Sequence, residues 1–270
     1  MNKINCTGKR KILSVVFSCA VLIVCFCVLS CGLDDYYYLQ EPLDLNCRTT
    51  PTDDYTKRYF SFLTRETGQN ADYLSDDSEY TFLGTEVYYK IYNNLSDAQS
   101  VYSKVVTKNS NSSTASAAAS YLIDDLGYKT FRLSTGYISP LVKATGNNRY
   151  VYIRLTSYGD ESAFQHGICV SDSALEQYDS SSALEYEGTV VYPRRYINSN
   201  YGFDFDDSDS SNPVPASGDD DYQCSSTVTL SGTWYVALYA VSVGRDSSYT
   251  NAYSKATPLG IVSITKNTDN

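Results

Sequence analysis

His166 is the only histidine in the 270-residue chain, and with Cys169 it makes a His-x-x-Cys pair that could supply two corners of a zinc tetrahedron. Two further ligands would be needed, and beyond residue 31 only Cys47 and Cys224 remain to offer thiolates. The expectation is therefore a loop or strand-end histidine and no bound metal or other cofactor. A Ser-His-Asp triad would also have to use His166, yet no Gly-x-Ser-x-Gly elbow presents a serine, so no catalytic residue is assigned and the chain is read as no enzyme. Two carboxylates acting on a glycosidic bond stay open, because spacing along a chain does not give separation in space. The acidic run Asp204, Asp206, Asp207, Asp209, Asp219, Asp220 and Asp221 could gather oxygen ligands for calcium. It lacks the turn glycine and terminal glutamate of an EF-hand, and its interleaved Ser, Asn and Pro read as a solvated loop.

Three thiols beyond residue 31 permit one disulfide. Cys169 with Cys224 is the expected pair, since Cys47 falls in the tether region, although pairing of Cys47 stays open; the Cys169–Cys224 bond would close the acidic loop, restraining the unfolded chain by roughly 3 to 4 kcal/mol. Tyrosine is the most usable binding hint, with 27 in the chain. Tyr88, Tyr92, Tyr150 and Tyr152 fall in expected strands and are the candidate recognition surface, because tyrosine couples a large rigid ring to a polar tip. Tyrosine is also a good strand former, and that explanation stands beside the functional one.

The remaining cysteine chemistry lies at the start. Lys3, Lys9, Arg10 and Lys11 precede an apolar run from Ile12 to Leu29, followed by Ser30 and Cys31; this is the layout of an export signal. Val28-Leu29-Ser30-Cys31 resembles the looser lipobox of spirochaetal lipoproteins, with Ser30 at the small position. The resemblance implies cleavage before Cys31, diacylglycerol on its thiol, residues 1–30 as signal peptide and 31–54 as a lipidated tether. An uncleaved anchor stays open, since the apolar run is about long enough to span a bilayer. Either route leads to a bacterial cell envelope, at the periplasmic face or the cell surface.

Cleavage would remove four of the 21 basic residues and none of the 31 acidic ones, leaving a net charge near −14. Such a chain lacks the clustered Lys and Arg that nucleic-acid phosphates need, and it would be repelled by anionic headgroups. The acyl chains must hold it to the membrane.

The elements that would position any site are mainly β. Arg58 to Thr67 and Leu83 to Tyr92 read as the first core strands. Ser96 and Gln99 have capping-box spacing ahead of Val101, Val105 and Val106, and the Ala-rich 114–126 ends at Gly127, so a short helical hairpin with its turn at 109–113 is expected. Arg149 to Tyr158 alternates, with Val151, Ile153 and Leu155 on a buried face and Tyr150, Tyr152 and Arg154 on the other. Shorter strands are expected near 167–170, 188–192 and 201–205. Gly232 to Gly244 is apolar on both faces and should be a central strand, with Leu259 to Thr265 beside it.

Leu230-Ser-Gly-Thr-Trp-Tyr235-Val-Ala-Leu-Tyr-Ala240-Val is similar to the sixth-strand signature of fibronectin type III domains, with Ser254 to Pro258 as the turn into their last strand. The resemblance covers about 35 residues and implies an immunoglobulin- or fibronectin III-like β-sandwich, Leu230 at the core edge and Tyr235 as the corner tyrosine. Residues 55–270 are then one sandwich with long loops and an inserted helical hairpin; two sandwiches split near 145 are the alternative. The function expected is a membrane-anchored, non-catalytic interaction or adhesion module with a protein or glycan partner. The competing expectation is an envelope carbohydrate-active enzyme or ligand-binding lipoprotein whose site the sequence does not reveal.

Overall fold

The computed structural model describes residues 38–45, 59–74, 80–111, 116–136, 138–156, 167–175, 179–226 and 232–266. Cys31, Cys47, His166 and Leu230 lie outside them, as do the expected signal peptide and most of the tether. The largest sheet grows from two long strands rich in β-branched and tyrosine side chains, β3 (Tyr80–Tyr92) and β13 (Thr233–Asp246), the types that suit a pleated surface packed on both sides. They pair antiparallel from Tyr235↔Tyr92 to Asp246↔Tyr80. On the far side of β13 lie β15 (Thr257–Thr265) and the short β14 (Asn251–Tyr253), both antiparallel to it. The other edge of β3 takes β4 (Lys129–Thr130) and β6 (Val142–Lys143) antiparallel and β12 (Tyr222–Gln223) parallel.

A second, antiparallel sheet has the order β1 (Leu43–Asp44), β2 (Phe60–Leu63), β7 (Tyr150–Arg154) and β8 (Gly167–Ser171). Phe60, Phe62, Val151 and Ile153 from this sheet share one buried cluster with Val87, Tyr89, Val236 and Leu238 from the larger one, so the two sheets face each other across a common core. Two ribbons complete the strands, β5 (Arg132–Leu133) with β11 (Pro193–Arg194) and β9 (Glu185–Tyr186) with β10 (Thr189–Val190).

The outer face of the large sheet is also covered. Helix α1 (Leu95–Asn111) places Ala98, Val101 and Val105 on Tyr92, Ala237, Tyr239 and Val241, and the pair is joined by Ala118, Ala119 and Leu122 from α2 (Ala117–Ser120), which continues as a π-helical turn over Tyr121–Asp125. The expected hairpin is present, with two corrections. Asn94, not Ser96, caps α1, its side-chain oxygen accepting the Ser96 N–H at 2.9 Å. The helix also runs to Asn111, through the start of the expected turn. Gly127 closes the second arm at φ 64°, with the Tyr128 N–H reaching back to the Leu122 carbonyl at 3.1 Å, the left-handed stop that glycine permits.

Three further expectations change. The Tyr150 to Arg154 strand is buried on both faces, since Tyr152 and Arg154 are covered along with Val151 and Ile153. Residues 201–205 form no strand; Phe203 and Phe205 instead insert as loop anchors into the core between the sheets. Residues 38–270 make one compact unit, and each sheet takes strands from both sides of residue 145, so a split there does not describe this chain. That unit starts earlier than the expected tether boundary because residues 40–44 are bound to the fold. Ser242 Oγ donates to the Gln40 carbonyl at 2.7 Å and Thr257 Oγ1 to the Pro42 carbonyl at 2.6 Å. Among the described residues no helix is long and apolar enough to cross a membrane.

Candidate functional site

A cleft opens at the edge of the core beside β6. Its near wall, residues 138–145, lies hard against β3 because Gly84 has no side chain: at φ +138° a Cβ there would sit 2.2 Å from the Val142 carbonyl oxygen. Two residues on, Glu86 holds the same wall from behind. Its Oε1 accepts the Leu141 N–H at 3.3 Å and the Val87 N–H at 3.1 Å, and the nearby Ser139 hydroxyl also favours the charged form. Glu86 is 2% exposed, and burial, only partly offset by those donors, pushes its carboxyl up to about 7. Its second oxygen has no hydrogen-bond partner, an arrangement that favours the protonated acid.

A second buried carboxylate fixes the end of this wall. Glu66 accepts the N–H groups of Thr145 at 2.5 Å and Gly146 at 3.0 Å, and pairs with Arg149 at 2.7 Å. Arg149 donates in turn to the Lys143 carbonyl. The opposite wall comes from β5 and the β9–β10 hairpin, whose two-residue turn Glu187-Gly188 has φ of 51° and 76°, both positive as a tight hairpin turn of this hand requires. The Leu184 N–H donates to the Ile168 carbonyl at 2.7 Å, which ties the hairpin to the small sheet.

Between the walls is a cavity of about 160 Å³. Leu133, Ile138, Leu141, Val142, Leu184 and Val191 give it an apolar floor, and Lys143, Glu185 and Tyr186 form charged and aromatic lips. Lys143 Nζ stands 5.3 Å over the Tyr186 ring. A pocket with dry walls and few polar groups at its mouth can bind an apolar group and orient what is attached to it.

The expected tyrosine surface is not where the sequence suggested. Tyr88 and Tyr92 point into the helical layer, and Tyr92 shares a 2.9 Å hydroxyl contact with Tyr128. Tyr152 is buried, its hydroxyl accepting the Leu175 N–H at 2.9 Å, while Tyr150 is half-buried at the start of β7. Tyr88 and Tyr92 face inward because both faces of the large sheet are covered. Among the described residues the outward tyrosines are Tyr102, Tyr186 and Tyr249, the last 80% exposed at the β13–β14 turn.

Cys169 and Cys224 are not joined by a disulfide. Cys169 is buried on β8 of the small sheet, its thiol on the Asp179 carbonyl at 2.6 Å, whereas Cys224 follows β12 on the large sheet, where its sulfur accepts from Asn93 at 3.7 Å. The acidic run is taken up by internal bonds. In Asp206, Asp209 and likewise Asp179 and Asp246, a side-chain oxygen accepts the N–H two residues on, at 2.7 to 2.9 Å. These are Asx turns, for which Asp-x-Ser is well suited. Arg195, fully buried, clamps the run's end: it meets Asp221 at 3.1 and 2.7 Å and Asp219 at 2.7 Å, while the Tyr89 hydroxyl donates to Asp221 at 2.6 Å. Burial and the Asp221 charge push the Tyr89 hydroxyl well above its ordinary value. Among the described residues no group of three His, Cys, Asp or Glu side chains is gathered to hold a metal.

Sequence reasoning missed the cleft. Its floor comes from residues 133–142 and 184–191, which show no clean periodicity. One signal was available: Glu86 is the one acidic residue in the apolar and tyrosine-rich β3, and a buried charge needs dedicated partners. Comparison of the chain with protein-family models, with curated proteins and with solved structures found no match.

Proposed function

We propose that this chain is a lipid-anchored envelope protein, held to a bacterial membrane through Cys31, whose folded domain is a non-catalytic interaction module engaging a protein partner at the cleft between Leu141 and Val191. The observation that carries this reading is the cleft's size. At about 160 Å³ it is smaller than the ~300–1,000 Å³ of small-molecule sites and close to a cavity of ~150 Å³ that just holds benzene. It suits one side chain of a larger partner, and its apolar floor suits a polypeptide better than a glycan.

Two features support the reading. Two sets of buried charges, Glu66 with Arg149 and Arg195 with Asp219 and Asp221, are matched to one another as structural clamps. The order β1-β2-β7 opposite β3-β13-β15 parallels the two halves of immunoglobulin-type sandwiches, a frame that commonly displays binding sites, in keeping with the fibronectin III-like motif around Tyr235. The test is a photo-reactive phenylalanine analogue at Tyr186, on the cleft's lip, or at Tyr249, on the distant turn, in intact producing cells. A discrete adduct from position 186 and none from 249 is expected; equal labelling from both, or none from 186, would overturn the assignment.

A further inference from the structure

Resting on the interaction reading above, we infer that the cleft binds the carboxyl-terminal residue of a partner polypeptide, taking its bulky apolar side chain into the cavity and its α-carboxylate onto Lys143. The volume sets the first half: about 160 Å³ accommodates one ring or branched aliphatic group and no more. The lips set the second. Two cations border the cavity, and they differ in availability. Arg149 is committed to Glu66 at 2.7 Å and to the Lys143 carbonyl. Lys143 is exposed, has no carboxylate partner among the described residues, and is held over the Tyr186 ring at 5.3 Å.

Lys143 itself lines the cavity together with Tyr186, over whose ring its ammonium stands, so the charge lies at the mouth beside whatever fills the cavity. An α-carboxylate stays within two bonds of the anchoring Cβ, whereas an internal Asp or Glu carries its charge about 3.5 Å further along an extended chain. Glu185, exposed on the opposite lip, repels a carboxylate and accepts an amide N–H. The two lips therefore fix the ligand's direction, carboxyl end towards Lys143 and amide towards Glu185. The chain as a whole is acidic, at −10, so a cation placed here is a local selector against a repulsive background.

The probes are N-acetylphenylalanine, N-acetylphenylalaninamide, N-acetylalanine and N-acetyl-Phe-Asp-amide, titrated into the mature chain carrying Cys31→Ser so that no micelle competes for them. Methyl resonances of Leu141, Val142, Leu184 and Val191 provide the readout. The acid should shift these methyls and bind up to about fivefold tighter than the amide, the range of one exposed ion pair, while N-acetylalanine should leave them unmoved. Lys143→Gln should erase the preference for the acid, so that acid and amide bind this variant equally; a preference for the acid that survives in it overturns the assignment to Lys143. Equal binding of acid and amide, or Phe-Asp-amide binding as well as the acid, overturns the terminal-carboxylate inference and leaves the cleft itself standing. No methyl shift with any probe overturns both.

Discussion

At the residue scale the decisive feature is that buried charge is spent on holding walls and loops in place. Glu86 has the clearest consequence. Its carboxyl titrates at about 7 in the fold against 4.5 in its ordinary state, so the folded protein binds the extra proton between those values. The contribution is fully present below pH 4.5 and is lost as pH rises through about 7. Stability should fall by about 3 kcal/mol across that window from this group, and Glu86→Gln should flatten the profile in denaturant titrations run at pH 5 and pH 8. Identical slopes for both proteins would contradict it. Arg195 tests the other kind of burial. Arg195→Met strands Asp221 without its partner and should cost about 3 to 5 kcal/mol, with much of the loss recovered when Asp221→Leu is added. A single variant as stable as the parent would remove the clamp from the account.

At the scale of elements, the cleft exists because β6 can lie against β3 at Gly84. Gly84→Ala places a methyl 2.2 Å from the Val142 carbonyl at a φ of +138°, so the wall must move away. A loss of about 2 kcal/mol or more is expected, together with faster hydrogen exchange at Ala144, whose N–H donates to the Leu83 carbonyl at 2.9 Å. Unchanged exchange at Ala144 would show that the wall does not depend on this approach. The same scale explains what could be read in advance. β3, β13, β15 and both helices were legible because periodicity reports which faces are buried, and β13, apolar on both faces, announced two covering layers. The face assignment of the β3 tyrosines failed for a different reason: the sequence marked Tyr88 and Tyr92 as candidate surface residues of a strand, and the helical layer that buries them is a tertiary fact. The cleft was illegible because Leu133, Leu141, Leu184 and Val191 come from two-residue strands and turns, too short for any period to emerge.

At the scale of the molecule, residues 38–270 form one compact unit, and the proposed lipid attachment rests on the basic start, apolar run and Ser30-Cys31 of the sequence before it. If residues 1–30 are removed as proposed, the net charge near −14 disfavours anionic lipid. On the proposed reading, membrane retention rests on the acyl chains. Cys31→Ser should abolish fatty-acid labelling of the protein and leave residues 1–30 attached, because cleavage awaits the lipidated thiol, while its thermal midpoint stays unchanged; a variant that is still labelled, or still cleaved before residue 31, would contradict attachment at Cys31. The most direct test of a lipid-held interaction domain is the intact mass of the N-terminal peptide isolated from membranes. The account predicts a chain beginning at Cys31 with diacylglycerol in thioether linkage. A chain beginning elsewhere, or an unmodified Cys31 thiol, would contradict it.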